Sequence, residues 1–177
     1  MSRRAGKVAS PRDDWQTPRW LLDALRAELG PIGLDPCTSD DNPTGAEVFA
    51  TRNGLETHWM VRPIGTWVYV NPPFSAANEW AEKVMYWAER GLEIGLLLPA
   101  SVNSKRFHAL TKAADVVAFF GRRVSYVDPS TGTERRGADF DSACWYFGPR
   151  EWKFARALRP HATTLGRKTG IVAQEAA

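Results

Sequence analysis

Asn71-Pro72-Pro73-Phe74 closes the apolar run Gly65-Thr66-Trp67-Val68-Tyr69-Val70. Those four residues read as a receptor for an exocyclic amine. The run reads as a buried strand. Two consecutive prolines lack backbone donors and fix φ, so the strand must stop at Asn71, with the Asn amide and the carbonyls after it projecting from the carboxyl end. Open α/β sheets bind their ligands at that edge. An amide oxygen and a proline carbonyl can accept both hydrogens of an amino group, and Phe74 offers a flat apolar face to a planar ring. The chemistry such a site suits is attack by an amino nitrogen. The same tetrapeptide is also compatible with an ordinary strand-ending turn, because Asn and Pro favour turns.

A second strand end with polar chemistry lies upstream. Residues 31–36 read as a short apolar strand ended by Asp35-Pro36, followed by a loop rich in Ser, Thr, Asp and Asn from Cys37 to Asn42. If the strands carrying Asp35 and Asn71 are neighbours, both ends face one crevice.

The elements that must hold these groups are legible in outline. Residues 1–13 are polar and basic and read as a flexible lead-in. A helix is expected over 19–29, with Thr17 as N-cap, Pro18 in the first turn and Gly30 as the stop. Residues 43–64 are weakly patterned. Ser75 is placed to cap a helix running to Arg90, after which 94–99 reads as a buried strand, giving a parallel βαβ unit. A further helix over 104–114 and a strand over 116–120 follow. From Gly121 the pattern turns antiparallel, with strands over 124–127 and 143–147 joined by an exposed excursion and a last helix over 150–158. The expected organisation is a lead-in (1–13), one α/β domain (14–160) and a disordered tail (161–177).

The chain has 177 residues, 44% hydrophobic and 24% charged, a composition that fits one globular domain. Its net charge of +3 permits a polyanionic partner without requiring one. Arg122, Arg123, Arg135 and Arg136 cluster in a Gly-containing stretch that reads as an exposed hairpin. They are the candidates for phosphate or base contacts, with Lys105 and Arg106 as weaker ones. Cys37 and Cys144 show no metal-ligand spacing, and the three histidines are far apart. No metal site and no disulfide framework are expected. No long apolar run suggests a membrane span, and the chain reads as cytoplasmic. The oligomeric state is open, with a monomer favoured.

The ordered set Trp15-x-Thr17-Pro18, Leu34-Asp35-Pro36-Cys37, Asp41-Asn42, Gly54-Leu55, Trp59, Tyr69-Val70-Asn71-Pro72-Pro73-Phe74, Leu97-Leu98-Pro99, Gly121-Arg122 and Asp141-Ser142-Ala143 resembles the phage-type Dam family of DNA N6-adenine methyltransferases over residues 13–148. The resemblance implies a Rossmann-like methyltransferase fold, with a mostly parallel central sheet, helices on both faces, an antiparallel C-terminal part and an abbreviated middle. It implies S-adenosylmethionine as cofactor and double-stranded DNA as partner. Asn71, Pro72, Pro73 and Phe74 would hold a flipped adenine, while Trp15, Thr17, Pro18, Asp35, Pro36, Cys37 and Asn42 would line the cofactor pocket. Asp35-Pro36-Cys37 lacks the glycine-rich loop of broader methyltransferases, and the acid for the cofactor ribose is unassigned, with Glu47 and Glu56 as candidates. An N-methyltransferase acting on a protein amide or RNA base, and a non-catalytic DNA-binding module on a degenerate methyltransferase fold, are the alternative readings.

Overall fold

A computed structural model describes residues 13–134, 140–166 and 170–171. Its centre is built from three apolar runs that form strands β1 (Ile32–Asp35), β3 (Trp67–Val70) and β4 (Ile94–Pro99), nearly every residue of which is buried. Strands that bury both faces carry such continuous apolar sequence because helices must cover each side. Alternate side chains divide between two cores. Ile32, Trp67, Tyr69 and Leu97 pack with Leu21, Leu25 and Leu29 of α1 (Arg19–Leu29) and with Phe154 and Leu158 of α4 (Glu151–Leu158). Leu34, Val68, Val70, Leu96 and Leu98 pack with Trp80 and Val84 of α2 (Ala77–Ala88) and with Phe107 and Leu110 of α3 (Lys105–Ala113). The two-residue period of the strands is what separates the two sets.

The remaining strands are β2 (Val48–Phe49), β5 (Val116–Phe120), β8 (Ser142–Phe147), β9 (Ala162–Gly166) and β10 (Gly170–Ile171), with β6 (Val127–Asp128) and β7 (Thr133–Glu134) forming a separate ribbon. Among the described residues, eight strands make one mixed sheet in the order β10-β9-β5-β8-β4-β3-β1-β2. Strands β2, β1, β3 and β4 pair in parallel; β8 enters antiparallel between β4 and β5.

Several expectations need correction. Thr17 does not cap α1: the cap position is Pro18, and the Thr17 hydroxyl instead hydrogen-bonds the Tyr69 hydroxyl at 2.8 Å inside the fold. Ser75 does not cap α2 either; it lies in a 3-10 turn, Phe74–Ala76, and its amide donates to Asp13 Oδ1 at 3.1 Å. The strand expected over 124–127 shrinks to β6, because β8 and β9 already occupy both edges of β5. Val124 and Tyr126 enter the core from a loop instead. Residues 162–166 are not tail: they pair along the whole of β5 as β9. Their sequence, Ala-Thr-Thr-Leu-Gly, buries little beyond Thr164, so the apolar signal of a strand is faint. By contrast, the helix expected over 104–114 is present as α3, and Ser104 caps it, accepting from the Phe107 amide at 3.2 Å.

Residues 43–64 wrap the free side of β1 with β2 and a 3-10 turn at Trp59–Val61. Trp59 is fully buried, and its indole N–H donates to the Gly54 carbonyl at 3.0 Å. A Cβ on Gly54 would stand 1.7 Å from the Pro36 carbonyl oxygen and 2.7 Å from the Trp80 ring, so the backbone supporting the Asp35-Pro36 loop demands glycine there. Gly54→Ala should destabilise the protein by at least about 2 kcal/mol, the penalty of overpacking against backbone. Chemical denaturation of the variant beside the parent measures it; an unchanged midpoint would show that the loop yields freely.

Candidate functional site

The register Ile32 to Trp67 and Leu34 to Val68 makes β1 and β3 parallel neighbours, so Asp35 and Asn71 emerge at the same sheet edge. Between them opens a cleft of about 460 Å³. Of the residues singled out from sequence, Trp15, Thr17, Asp35, Cys37, Asn71 and Pro73 line it. The segment before α1 supplies one wall and is tied down at several points. Gln16 exchanges backbone hydrogen bonds of 3.0 and 2.9 Å with Val127 on the ribbon, and its side-chain amide donates to Ser39 Oγ at 3.0 Å and to the Asp41 carboxylate.

Asn71 is held in one orientation. Its Nδ2 donates to the Trp15 carbonyl at 2.9 Å, which leaves Oδ1 as the free end of the amide. That Oδ1 is buried and has no hydrogen-bond partner. A buried acceptor without a donor costs about 1–3 kcal/mol. Phe74, half-buried, is not among the residues that line the cleft; it sits in an aromatic group, meeting Tyr126 and Phe140 edge to face at centroid distances of 5.8 and 5.2 Å.

Asp35 is 2% exposed. Its Oδ1 accepts from the Cys37 amide at 3.0 Å and its Oδ2 from the Thr44 hydroxyl at 2.9 Å. Burial outweighs those hydrogen bonds and raises its pKa to about 6. The Cys37 thiol is pushed up as well, by burial and by the adjacent Asp35. Asn42 adopts a φ of 42° and spends its side chain on the loop itself: its amide donates to the Ala46 carbonyl and its oxygen accepts from the Thr44 hydroxyl. Through Thr44 it therefore steadies Asp35. Pro18, Pro36 and Pro72 are buried in the framework around the cleft.

Glu47 is exposed just before β2, and Glu56 lines a different cleft beside Lys83 and Trp87, so neither carboxylate reaches this one. The residues beside the cleft that sequence patterns did not single out are Asp13, Asp14, Gln16, Thr38, Ser39, Pro43, Thr44 and Thr51. They carry no motif of their own; Asp13 and Asp14 stand where the polar lead-in ends, and Thr38 lies inside the polar loop after Pro36. Arg122 and Arg123 are exposed on the loop that leaves the carboxyl end of β5, with Arg123 3.4 Å from Asp141. Arg135 and Arg136 lie outside the described residues. No helix among those described is long and apolar enough to cross a membrane.

Because its folded pKa is raised, Asp35 binds a proton in the native state that the unfolded chain has already released between about pH 4 and 6. Its contribution to stability therefore falls as pH rises through that window, by up to about 3 kcal/mol for a shift of this size. Asp35→Asn should remove that fall, so the difference in unfolding midpoint between variant and parent should grow from pH 4 to pH 7. Thermal unfolding across that range is the check; a difference that stays flat would mean Asp35 titrates normally.

A family model described as DNA N-6-adenine-methyltransferase (Dam) matches residues 5–162. The DNA N-6-adenine-methyltransferase of Escherichia phage T1 is 27% identical over 107 residues, a stretch covering 60% of this chain and 44% of that protein, so the similarity spans less than half of the relative's length. With the family match running from before the cleft's first wall into β9, the chain belongs to the DNA N-6-adenine-methyltransferase (Dam) family.

Proposed function

We propose that the protein transfers a methyl group from S-adenosylmethionine to N6 of adenine at specific sites in double-stranded DNA, as a phage-type enzyme acting in the host cytoplasm. The observation that carries this reading is the buried, unpartnered Asn71 Oδ1, fixed by the Trp15 carbonyl at the end of β3. It is an acceptor waiting for an N–H. The phage source of the T1 relative supports the biological setting. The strand order β2-β1-β3-β4-β8-β5, with β8 alone reversed, supports a Rossmann-like methyltransferase architecture.

The cleft suits the cofactor. Asp13, Asp14 and Asp35 line it, and no lysine or arginine does among the described residues, so its field favours a cation over a phosphate. When bound there, S-adenosylmethionine supplies an electrophilic methyl group on a sulfonium. Asp35, at a strand end, suits the ammonium of its amino-acid portion. Trp15, Thr17, Pro18, Pro36, Cys37 and Asn42 shape or steady the same wall.

Chain chemistry at the amine is positioning. Adenine N6 is a weak nucleophile because its lone pair is delocalised into the ring. Asn71 Oδ1 and the Pro72 carbonyl accept its two hydrogens, favouring a pyramidal nitrogen whose lone pair points out of the ring plane. Pro73 rigidifies the turn, and Phe74 takes the face of the base once it has left the duplex. Since Asn71 is held before any substrate arrives, little reorganisation remains for the reacting complex. The duplex lies against the carboxyl edge of the sheet, with Arg122, Arg123, Arg135 and Arg136 neutralising phosphates.

Incubation with tritiated S-adenosylmethionine and unmethylated duplex DNA, followed by nucleoside analysis, tests the whole reading. Label should appear in N6-methyl-2′-deoxyadenosine, and label in protein or RNA alone would reject DNA as substrate. Asn71→Ala should lower that incorporation by about 10²- to 10³-fold, as loss of a preorganised hydrogen-bonding group does, with S-adenosylhomocysteine still bound. Near-full activity of the variant would remove Asn71 from the amine site. Replacing Arg122 and Arg123 by Ala should reduce the slope of log affinity for DNA against log salt by about 1 to 2. An unchanged slope would move the DNA elsewhere.

A further inference from the structure

The orientation of Asn71 traces back to a single peptide group. The Trp15 carbonyl that accepts the Asn71 amide at 2.9 Å shares its plane with the Gln16 N–H, which donates to the Val127 carbonyl at 3.0 Å. No peptide bond among the described residues is cis, so carbonyl and N–H point to opposite sides of one rigid plane. Val127 is itself anchored. It begins β6, and Tyr126 before it is buried, its hydroxyl 2.9 Å from that of Ser142. A rotation of the Trp15–Gln16 plane would therefore break both bonds together, and Asn71 would lose the acceptor that keeps its Oδ1 free. A turned amide would offer Nδ2 to an incoming amine, a donor facing a donor.

The Gln16 side chain is the second hold on that plane. Its Nε2 donates to Ser39 Oγ at 3.0 Å and to Asp41 Oδ2 at 3.1 Å. Residue 16 is thus tied to the ribbon through its backbone and to the polar loop through its side chain. Hydrogen bonds from the Ser39 hydroxyl and, to a lesser extent, the Gln16 amide hold the Asp41 carboxyl below its usual range, so this acceptor stays ionised at neutral pH. We infer that Gln16 is a positioning residue for methyl transfer: it sets the Trp15–Gln16 peptide plane and thereby the orientation in which Asn71 meets the amine. This rests on the reading of Asn71 as the amine receptor. Gln16 acts through the Trp15 carbonyl and Asn71 and leaves the reacting atoms to them. The same plane couples the ribbon to the amine site, because Val127 and Asn71 hold its two ends.

A double-mutant cycle, read by DNA methylation at saturating S-adenosylmethionine and DNA, tests this role. Gln16→Ala should lower kcat by roughly 10- to 100-fold, the cost of a small misplacement of a positioned group, and leave the affinity for S-adenosylhomocysteine unchanged. In an Asn71→Ala background the same substitution should add less than about twofold, because its effect runs through Asn71. Gln16→Glu combined with Asp41→Asn exchanges donor and acceptor across the pin and should recover most of the activity that Gln16→Glu alone loses. Additive losses from Gln16→Ala and Asn71→Ala would make Gln16 an independent support of the fold, and an affinity for S-adenosylhomocysteine that falls as far as kcat would make it a cofactor contact. Either result overturns the inference, as would full activity of Gln16→Ala or an exchange that recovers nothing. Parent protein that leaves DNA unmethylated, or Asn71→Ala working at the parent's rate, would instead overturn the reading of the site itself, and the role of Gln16 with it.

Discussion

Parallel pairing of β1 with β3, each stopped by proline at its carboxyl end, is the constraint on which the rest of the molecule turns. Two buried strands that end together leave backbone and side-chain polar groups at one edge with no ladder to satisfy them. The chain answers with its own N-terminal segment. The Trp15 carbonyl takes the Asn71 amide, Asp13 takes the Ser75 amide, and Gln16 bridges the ribbon and the polar loop. What stays unsatisfied after that includes Asn71 Oδ1, on a residue that lines the cleft.

Charge is divided across this edge. Inside the cleft are carboxylates, one of them buried enough to hold a raised pKa; outside, on the loop beyond β5, arginines are exposed. A buried carboxylate lowers stability at neutral pH, and a cation in the cleft would relieve that penalty by favouring the ionised form. The packing that tolerates Asp35 is correspondingly firm. Gly54 lets the Pro36 carbonyl approach, Trp59 anchors Gly54, and Asn42 with Thr44 holds the carboxylate from the other side.

Much of this was legible before the fold. The apolar runs of β1, β3, β4 and β5 and the apolar faces of α1, α2 and α4 are strong local signals, since continuous β-branched and aromatic stretches or helical spacing leave few other uses for those residues. Asn71-Pro72-Pro73-Phe74 and Asp35-Pro36 stood out because prolines at a strand end are local steric statements. The errors have a common source. Thr17 has the type and position of an N-cap, but burial beside Tyr69 gave its hydroxyl a better partner. Ser75 lost its capping role to a 3-10 turn. Residues 162–166 carry almost no apolar pattern and became a strand because β5 had an edge to cover.

The sequence by itself determined which segments are strands and helices near the cleft, where β3 must stop, and that an amide, two carbonyls and an aromatic ring sit together at that stop. These follow from steric and hydrophobic rules acting over a few residues. Tertiary structure alone decided that Asp35 and Asn71 share a cleft, that Trp15 orients Asn71, and that Asp13, Asp14 and Thr38 join them while Glu47 and Glu56 do not. Those outcomes depend on which strand lies beside which and on which polar atoms find partners once water is excluded. Neither quantity exists until the chain has closed on itself.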